Sequence, residues 1–158
     1  MLKAEVKNSK IEGKGVFARK NIKKGETIIK IEGPITRYPN KYALQIDEDK
    51  YIGCSGKVCD FTNHSCEPNC YISFNSLHLV ALGNIKKGEE LTFNYCITEK
   101  DLTDGYEFKC ECGAKKCLAR IKGFDHLSLK EKLKLMKFLS PFLKKKFEEE
   151  INSINSSI

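Results

Sequence analysis

Three stretches of this 158-residue chain hold side chains whose types and spacing could do chemistry. The first is Gly13-Lys14-Gly15-Val16-Phe17, where two glycines one residue apart let a backbone approach a ligand closely. The second, Phe61 to Cys70, packs Asn63, His64, Ser65, Cys66, Pro68 and Asn69 into one run. Taken singly, His64 fits a hydrogen-bonded brace, and Asn63 and Asn69 fit turn residues. The string as a whole is too particular for that. The third runs from Gly88-Glu89-Glu90-Leu91-Thr92-Phe93-Asn94-Tyr95 to Cys110, Cys112 and Cys117. Thiolates bind zinc tetrahedrally through bonds of about 2.3 Å. Cys110 and Cys112 in one turn can address a single ion together with Cys117, which leaves the fourth position open.

The compartment bears on the thiols. Met1 to Lys7 has no apolar signal-peptide core, and no apolar run reaches the roughly 20 residues that span a bilayer. The expectation is an intracellular protein with no membrane partner. In a reducing compartment the eight cysteines read as metal ligands or free thiols, not disulfides. A net charge of +7 admits nucleic acid as a partner. The lysines are dispersed, however, arginine is scarce and no aromatic pattern is interleaved, so no specific nucleic acid is expected.

The elements that must position these residues read mostly as short strands. Apolar and β-branched runs fall at Val16–Ala18, Thr27–Ile31, Tyr42–Ile46, Tyr71–Phe74, Leu79–Leu82 and Leu91–Tyr95, separated by Gly, Pro, Asn and Asp. Asn75-Ser76 has the look of a hairpin turn. An internal echo stands out: Ala18-Arg19-Lys20-Asn21-Ile22-Lys23-Lys24-Gly25-Glu26 recurs as Ala81-Leu82-Gly83-Asn84-Ile85-Lys86-Lys87-Gly88-Glu89. Two equivalent corners in one sheet system are expected, with Gly25 and Gly88 at positive φ. After Phe124 the pattern turns helical. Ser128-Leu129-Lys130-Glu131 is a capping box, and Leu129, Leu133, Met136 and Leu139 form an apolar face. Ser140-Pro141 closes that helix and opens another, with Phe142, Leu143 and Phe147 inward and Ile151 to Ile158 frayed. This segment is expected to pack on the domain, with a dimer or partner surface as the alternative, so monomer and homodimer both stay open.

In order and spacing, Gly13–Phe17, Phe61–Asn69, Gly88–Tyr95 and Cys110–Cys117 resemble the SET-domain protein lysine methyltransferases with a post-SET zinc motif, over about Lys10 to Ile121. The likeness extends to short free-standing SET proteins and to catalytic domains that act on histone H3. It implies a mainly β SET-domain (β-clip) fold with a knot-like active-site loop and a small C-terminal helical segment. The expected divisions are a SET domain over 1–107, a post-SET zinc-binding segment over 108–124 and a helical extension over 125–158. The implied activity is transfer of methyl groups from S-adenosylmethionine to the lysine ε-amine of a protein, a histone or histone-like basic tail.

The resemblance also implies roles. Lys14, Gly15, Val16, Phe17, Tyr42, Asn63 and His64 would contact S-adenosylmethionine, with Tyr51 competing for the place of Tyr42. Tyr95 would be the catalytic tyrosine and Phe93 would line the substrate channel. A phenylalanine there holds no water by a hydroxyl, which leaves room for more than one methyl group. Cys66 would join Cys110, Cys112 and Cys117 on structural zinc. Cys54, Cys59, Cys66 and Cys70 form a rival grouping, and Cys54, Cys59, Cys70 and Cys96 are otherwise expected to be buried thiols. Asp47, Glu48, Asp49, Glu99, Asp101, Asp104 and Glu107 are candidates to meet a basic substrate. The chain departs from many relatives at Asp60, where arginine is frequent, at Asn94, where aspartate is frequent, and at Leu118-Ala119, where Arg-Gly is frequent. The expected location is the nucleus in a eukaryote, and the cytoplasm or host cell for a bacterial or viral source.

Overall fold

A computed structural model of the protein describes residues 2–156. Twelve short strands form four small sheets among the described residues. The four-stranded sheet has β1 (Ala4–Asn8), β2 (Lys14–Ala18), β10 (Glu90–Phe93) and β7 (Asn63–His64) in that order. A second sheet orders β3 (Thr27–Lys30), β9 (His78–Ala81) and β8 (Cys70–Ser73). A third orders β4 (Ile35–Thr36), β6 (Lys50–Ile52) and β5 (Leu44–Asp47), and β11 (Phe108–Lys109) pairs with β12 (Arg120–Ile121). No helix among the described residues is long and apolar enough to cross a membrane.

The repeated corners join the first two sheets. One carries the chain from β2 to β3 and the other from β9 back to β10. They also pair with each other, through Ile22 N to Ile85 O and Ile85 N to Ile22 O, both 2.8 Å. The Asn21 Oδ1 accepts from Lys87 N and the Asn84 Oδ1 from Lys24 N. Gly25 and Gly88 take φ of 81° and 89° as the tight turns demand. The corners therefore link two sheets; they do not lie within one. Val16, Ile22, Ile72, Leu79, Ile85 and Leu91 fill the space between, all buried.

The C-terminal helices complete this core. Ser128 and Glu131 form both bonds of the capping box at the start of α1 (Leu129–Leu135). The expected apolar face fails at its first half: Leu129 and Leu133 are each 50 % exposed, and the buried residue of α1 is Lys132. Its ammonium is neutralised by both oxygens of Glu150 at 2.9–3.0 Å and lies 5.1 Å from the centre of the Phe124 ring. That pairing turns the helix so that a lysine points inward. The second helix, α2 (Pro141–Ser156), buries Leu143 and Phe147, the latter edge-on to Phe124. It runs helically to Ser156, so the expected fraying from Ile151 does not hold; Ser157 and Ile158 lie outside the described residues. Two other expectations are corrected. Tyr42 sits in a turn before β5 and does not open that strand. Cys54 is exposed and Cys59 half-buried, because their loop is organised around the Asp60 carboxylate, which accepts from Cys54 Sγ, Ser55 N and Gly56 N. Cys70 and Cys96 are buried as expected.

Candidate functional site

The second and third motifs meet where β7 runs parallel to β10, with Asn63 opposite Thr92 and His64 opposite Phe93. This lays the Phe61–Asn69 loop across the end of the strand that leads to Tyr95. Asn69 fixes the crossing: its Nδ2 donates to Glu90 O at 2.8 Å and its Oδ1 accepts from Thr92 N at 3.0 Å. The first motif is tied in by Glu90 and Asn63. The Asn63 Nδ2 donates to Glu12 O, Lys14 O and Glu90 Oε1 at 2.8–3.2 Å, while Ser9 Oγ donates to the same carboxylate. A Cβ at Gly15 would collide with Glu90, so this glycine lets β2 close over the carboxylate.

His64 connects Tyr95 to the cysteines. The Tyr95 backbone N–H donates to His64 Nδ1 at 3.0 Å. A nitrogen that accepts is unprotonated, so the neutral ring carries its hydrogen on Nε2, which lies 3.3 Å from Cys66 Sγ. Burial pushes the imidazole down to about 4, so it stays neutral at neutral pH. The Tyr95 hydroxyl donates to Thr62 O at 2.9 Å. Burial, then the charge of Glu99, raises this phenol above its usual range. It therefore remains a donor to Thr62, with its oxygen lone pairs available. Strand β10 ends at Phe93 and Tyr95 opens a 3₁₀ turn to Ile97, so the two residues do not share one strand. Asn94 keeps an extended backbone, and the rings still meet at 4.9 Å between centres. Phe108 adds an edge contact to both His64 and Tyr95.

The four sulfurs of Cys66, Cys110, Cys112 and Cys117 lie within 4.8 Å of one another, and Cys66 and Cys110 are 3.9 Å apart. Tetrahedral zinc with bonds of about 2.3 Å requires sulfurs about 3.8 Å apart. The donor set and its spacing fit that ion. Leu118 N and Ala119 N donate to Cys66 Sγ and Cys117 Sγ at 3.4 Å, as suits sulfurs that carry negative charge. Burial raises the Cys66 thiol to about 12. At Cys112 burial acts the same way, but hydrogen bonds from neighbouring backbone and thiols prevail and bring it down to about 6. The rival grouping does not assemble: among the described residues no other set of His, Cys, Asp or Glu converges in this way.

One cleft of about 1120 Å³ is lined by residues of all three motif regions, with Phe108, Lys109 and Glu111 beside the cysteines and none of the four cysteines themselves. Its wall includes Lys14, Tyr42, Asn63, His64, Phe93 and Tyr95, whereas Gly15, Val16 and Phe17, on β2, do not line it. Tyr51 lines the cleft as well as Tyr42, so both tyrosines that competed in the sequence are present. Of the acidic candidates, Glu99, Asp101 and Asp104 face the cleft. Asp47, Glu48, Asp49 and Glu107 instead make ion pairs with Lys50, Lys100, Arg37 and Arg120. Sequence reasoning missed Glu90 as the tie between motifs, and Thr62 and Phe108 as neighbours of Tyr95. Glu90 stood inside the third motif; Phe108, two residues before Cys110, carried no signal.

A SET-domain family profile matches residues 13–96, more than half of the chain. The chain belongs to the SET-domain family. This SET protein is 34% identical over 134 residues to Histone-lysine N-methyltransferase 2B of Homo sapiens, which covers 71% of the chain and 5% of that relative. It is 31% identical over 131 residues to Histone-lysine N-methyltransferase trithorax of Drosophila virilis, covering 69% of the chain and 3% of the relative. Among solved structures it is similar to KRYPTONITE in complex with mCHG DNA and SAH, with a TM-score of 0.63, 28% identity, and coverage of 74% of this chain and 28% of that one. A second KRYPTONITE structure, with mCHH DNA, an H3(1-15) peptide and SAH, gives a TM-score of 0.61 at 27% identity, covering 76% of this chain and 29% of that one. The chain thus spans a small part of the length of these proteins.

Proposed function

We propose that this SET domain is a protein-lysine N-methyltransferase that uses S-adenosylmethionine and carries one structural zinc. A single observation carries the reading: His64 and Tyr95, 31 residues apart in sequence, are locked together on the wall of one large cleft. The relatives' names and the SAH bound to KRYPTONITE support it. When bound, S-adenosylmethionine supplies an electrophilic methyl group on a cationic sulfonium.

The chain's own residues would then act as follows. Lys14, Tyr42, Asn63 and His64 hold the cofactor at the end of the cleft near Gly13, with Gly15, Val16 and Phe17 supporting that wall from β2. Tyr95 orients the incoming amine through the lone pairs of its hydroxyl, since its hydrogen is committed to Thr62. Such alignment supplies much of the rate in an in-line displacement. The aromatic rings of Phe93 and Tyr95, both on the cleft wall, favour a cationic centre beside them. Cys66, Cys110, Cys112 and Cys117 hold zinc and pin residues 108–124, which bring Phe108 against Tyr95. The divisions 1–107, 108–124 and 125–158 follow these roles, although the last shares the main core through Leu143 and Phe147.

The substrate side of this reading is a basic tail such as a histone's. The cleft wall carries Glu12, Glu32, Asp60, Glu99, Asp101, Asp104 and Glu111 against Lys14, Lys41 and Lys109. Its local charge is thus negative on a protein of net charge +7, which favours a positively charged ligand. In a eukaryotic cell that substrate places the activity in the nucleus. Phe93 favours products beyond monomethyl-lysine.

The test is methyl transfer from labelled S-adenosylmethionine to a panel of histones and lysate proteins. Tyr95→Phe is expected to keep cofactor binding by calorimetry and to lose turnover by roughly 10²-fold. Mass spectrometry of the product should show di- or trimethyl-lysine, shifting toward monomethyl in Phe93→Tyr. No transfer to any acceptor, or full activity in Tyr95→Phe, overturns the reading.

A further inference from the structure

Glu99 is a buried carboxylate that none of these roles uses. It is 9 % exposed and lines the cleft together with Tyr51, Phe93 and Tyr95. Its backbone N–H donates to Tyr95 O at 2.8 Å, which places it one turn beyond that tyrosine. Its Oε1 accepts from Gln45 N and from Thr98 Oγ1, both at 3.0 Å. Gln45 is itself buried, and its Oε1 accepts from Lys100 N, so β5 and the 3₁₀ turn grip the carboxyl from two sides. Among the described residues the Oε2 has no hydrogen bond, and it is not sealed from solvent as Ser140 Oγ is. One oxygen is thus fixed by the protein and the other is left to the cleft.

Among the described residues no cation forms an ion pair with it. From β6 the Tyr51 phenol feels the Glu99 charge, and from the 3₁₀ turn the Tyr95 phenol and Cys96 thiol do. All are neutral groups. Beyond β5, Glu48 is occupied with Lys100, and nearby Asp101 with His126. These two carboxylates carry the same charge as Glu99 and do not relieve it. An unpaired carboxylate this buried is costly, and it is placed where a cationic ligand side chain would enter.

We propose that Glu99 is the base that removes a proton from the ammonium of the substrate lysine, because its free oxygen opens onto the wall that carries Tyr95. The inference rests on the methyl-transfer reading above. At pH 7 a free lysine, of ordinary pKa near 10.4, is neutral in fewer than roughly one molecule in 10³. In the step, one N–H bond of the ammonium breaks and its electron pair stays on nitrogen as the lone pair needed for attack. The proton forms an O–H bond with Oε2, and the charges of −1 and +1 disappear together, which suits a site of low polarity. The proton then passes to solvent as product leaves. Burial supports the role, since it lifts the Glu99 carboxyl to about 7 despite the bonds from Gln45 and Thr98. A base is most effective when its pKa lies near the working pH.

Glu99→Gln tests this without disturbing shape, since an amide oxygen can still accept from Gln45 and Thr98. The first readout needs no cofactor: carbon NMR of glutamate-labelled protein should show one side-chain carboxyl titrating near 7, absent from the variant. The second is the pH profile of kcat/KM with histone H3 and S-adenosylmethionine. Wild type should rise with a midpoint near 7. The variant should lack that rise, fall by roughly 10²–10⁴-fold at pH 7, and recover about tenfold per pH unit toward the pKa of lysine. A variant with unchanged turnover, or with only a raised KM, overturns the proposal; the latter means that Glu99 pairs with a fixed cation of the substrate. A wild-type carboxyl titrating near its ordinary value overturns it too, and this arm stands even if the variant fails to fold. Absence of transfer by wild type at every pH sinks the methyl-transfer reading itself, whereas transfer with an identical profile in both proteins sinks only the role of Glu99.

Discussion

The paired corners and the cysteine cluster both bring distant stretches of chain together, and they do so by opposite means. At the corners, Asn21 and Asn84 each bond the backbone of the other copy, Gly25 N meets Ala81 O, and Gly88 N meets Ala18 O. Every such bond has its mirror, Ile22 and Ile85 are buried, and the joint is complete without a ligand. At the cluster, Cys66 meets cysteines 44 or more residues away through weak thiol hydrogen bonds and no disulfide. Its backbone support is the two-residue pairing of β11 with β12 and a few turn bonds. One joint is complete in its own bonds; the other offers four thiols that could hold a metal and little else to close it. The wall of the cleft formed by Phe108 hangs on the second.

The largest effect should therefore come from removing zinc. Structural zinc sites contribute about 10–16 kcal/mol of apparent binding energy. Chelation under reducing conditions, or Cys112→Ser, is expected to release residues 108–121 and abolish methyl transfer. Backbone amide exchange should accelerate in that segment while the amides of Ile22, Gly25, Ile85 and Gly88 stay protected. Equal exchange rates in the segment with and without metal would remove the contrast between the two joints.

Next in size are Ile22→Ala and Ile85→Ala, each expected to cost about 2–5 kcal/mol in urea unfolding as a large buried side chain is cut back. The symmetry of the corners predicts similar losses at the two sites. Because the residues bridge each other, the double variant should lose less than the sum of the two. Strict additivity would mean that the two corners are independent.

Glu99 sharpens the comparison from the side of the cleft, where groups await a ligand. Its folded carboxyl titrates near 7 against an ordinary 4.5. Below pH 4.5 the group is protonated folded and unfolded, and costs nothing. As pH rises from 4.5 to 7 the unfolded chain gives up the proton first, so stability falls, and above 7 the loss is complete. At about 1.4 kcal/mol per tenfold, that loss is about 3 kcal/mol. Glu99→Gln should match wild type at pH 4 and exceed it at pH 8 by up to this amount in chemical denaturation. A pH-independent difference would mean that the carboxylate is well hydrated.

What the sequence disclosed follows the same division. The corners were legible because a nine-residue string occurs twice, although the bonds that join the copies span 60 residues or more, and the capping box at Ser128 because both partners lie within one turn. The cysteines and the Asn63, His64 and Tyr95 set were legible as motifs. Strands of two or three residues, such as β4, β7, β11 and β12, carry no period to read. The tie from Glu90 to Ser9 and Asn63 spans 81 and 27 residues, and no local pattern announces it. Lys132 turned inward because Glu150, 18 residues on, neutralises it. The spacing of Leu129 and Leu133 could not show that.

The smallest effect concerns the turn that closes the cluster. Ala119 holds φ of 62° between Cys117 and β12, a left-handed conformation that favours glycine. That backbone places its N–H on Cys117 Sγ and its carbonyl on Cys110 N at 2.8 Å, so the conformation is enforced by the two sulfur-bearing residues. An L-residue pays roughly 1–2 kcal/mol for the left-handed region, partly offset by the lower entropy of alanine in the unfolded chain. Ala119→Gly should thus stabilise the zinc-loaded protein by about 0.5–1 kcal/mol, a rise of about 2 °C in Tm. In the zinc-stripped protein the turn is no longer held, and the gain should vanish or reverse, because glycine then only loosens an open segment. The same gain with and without metal would show that the turn forms on its own, and the joint at the cysteines would then depend less on metal than its bonding indicates.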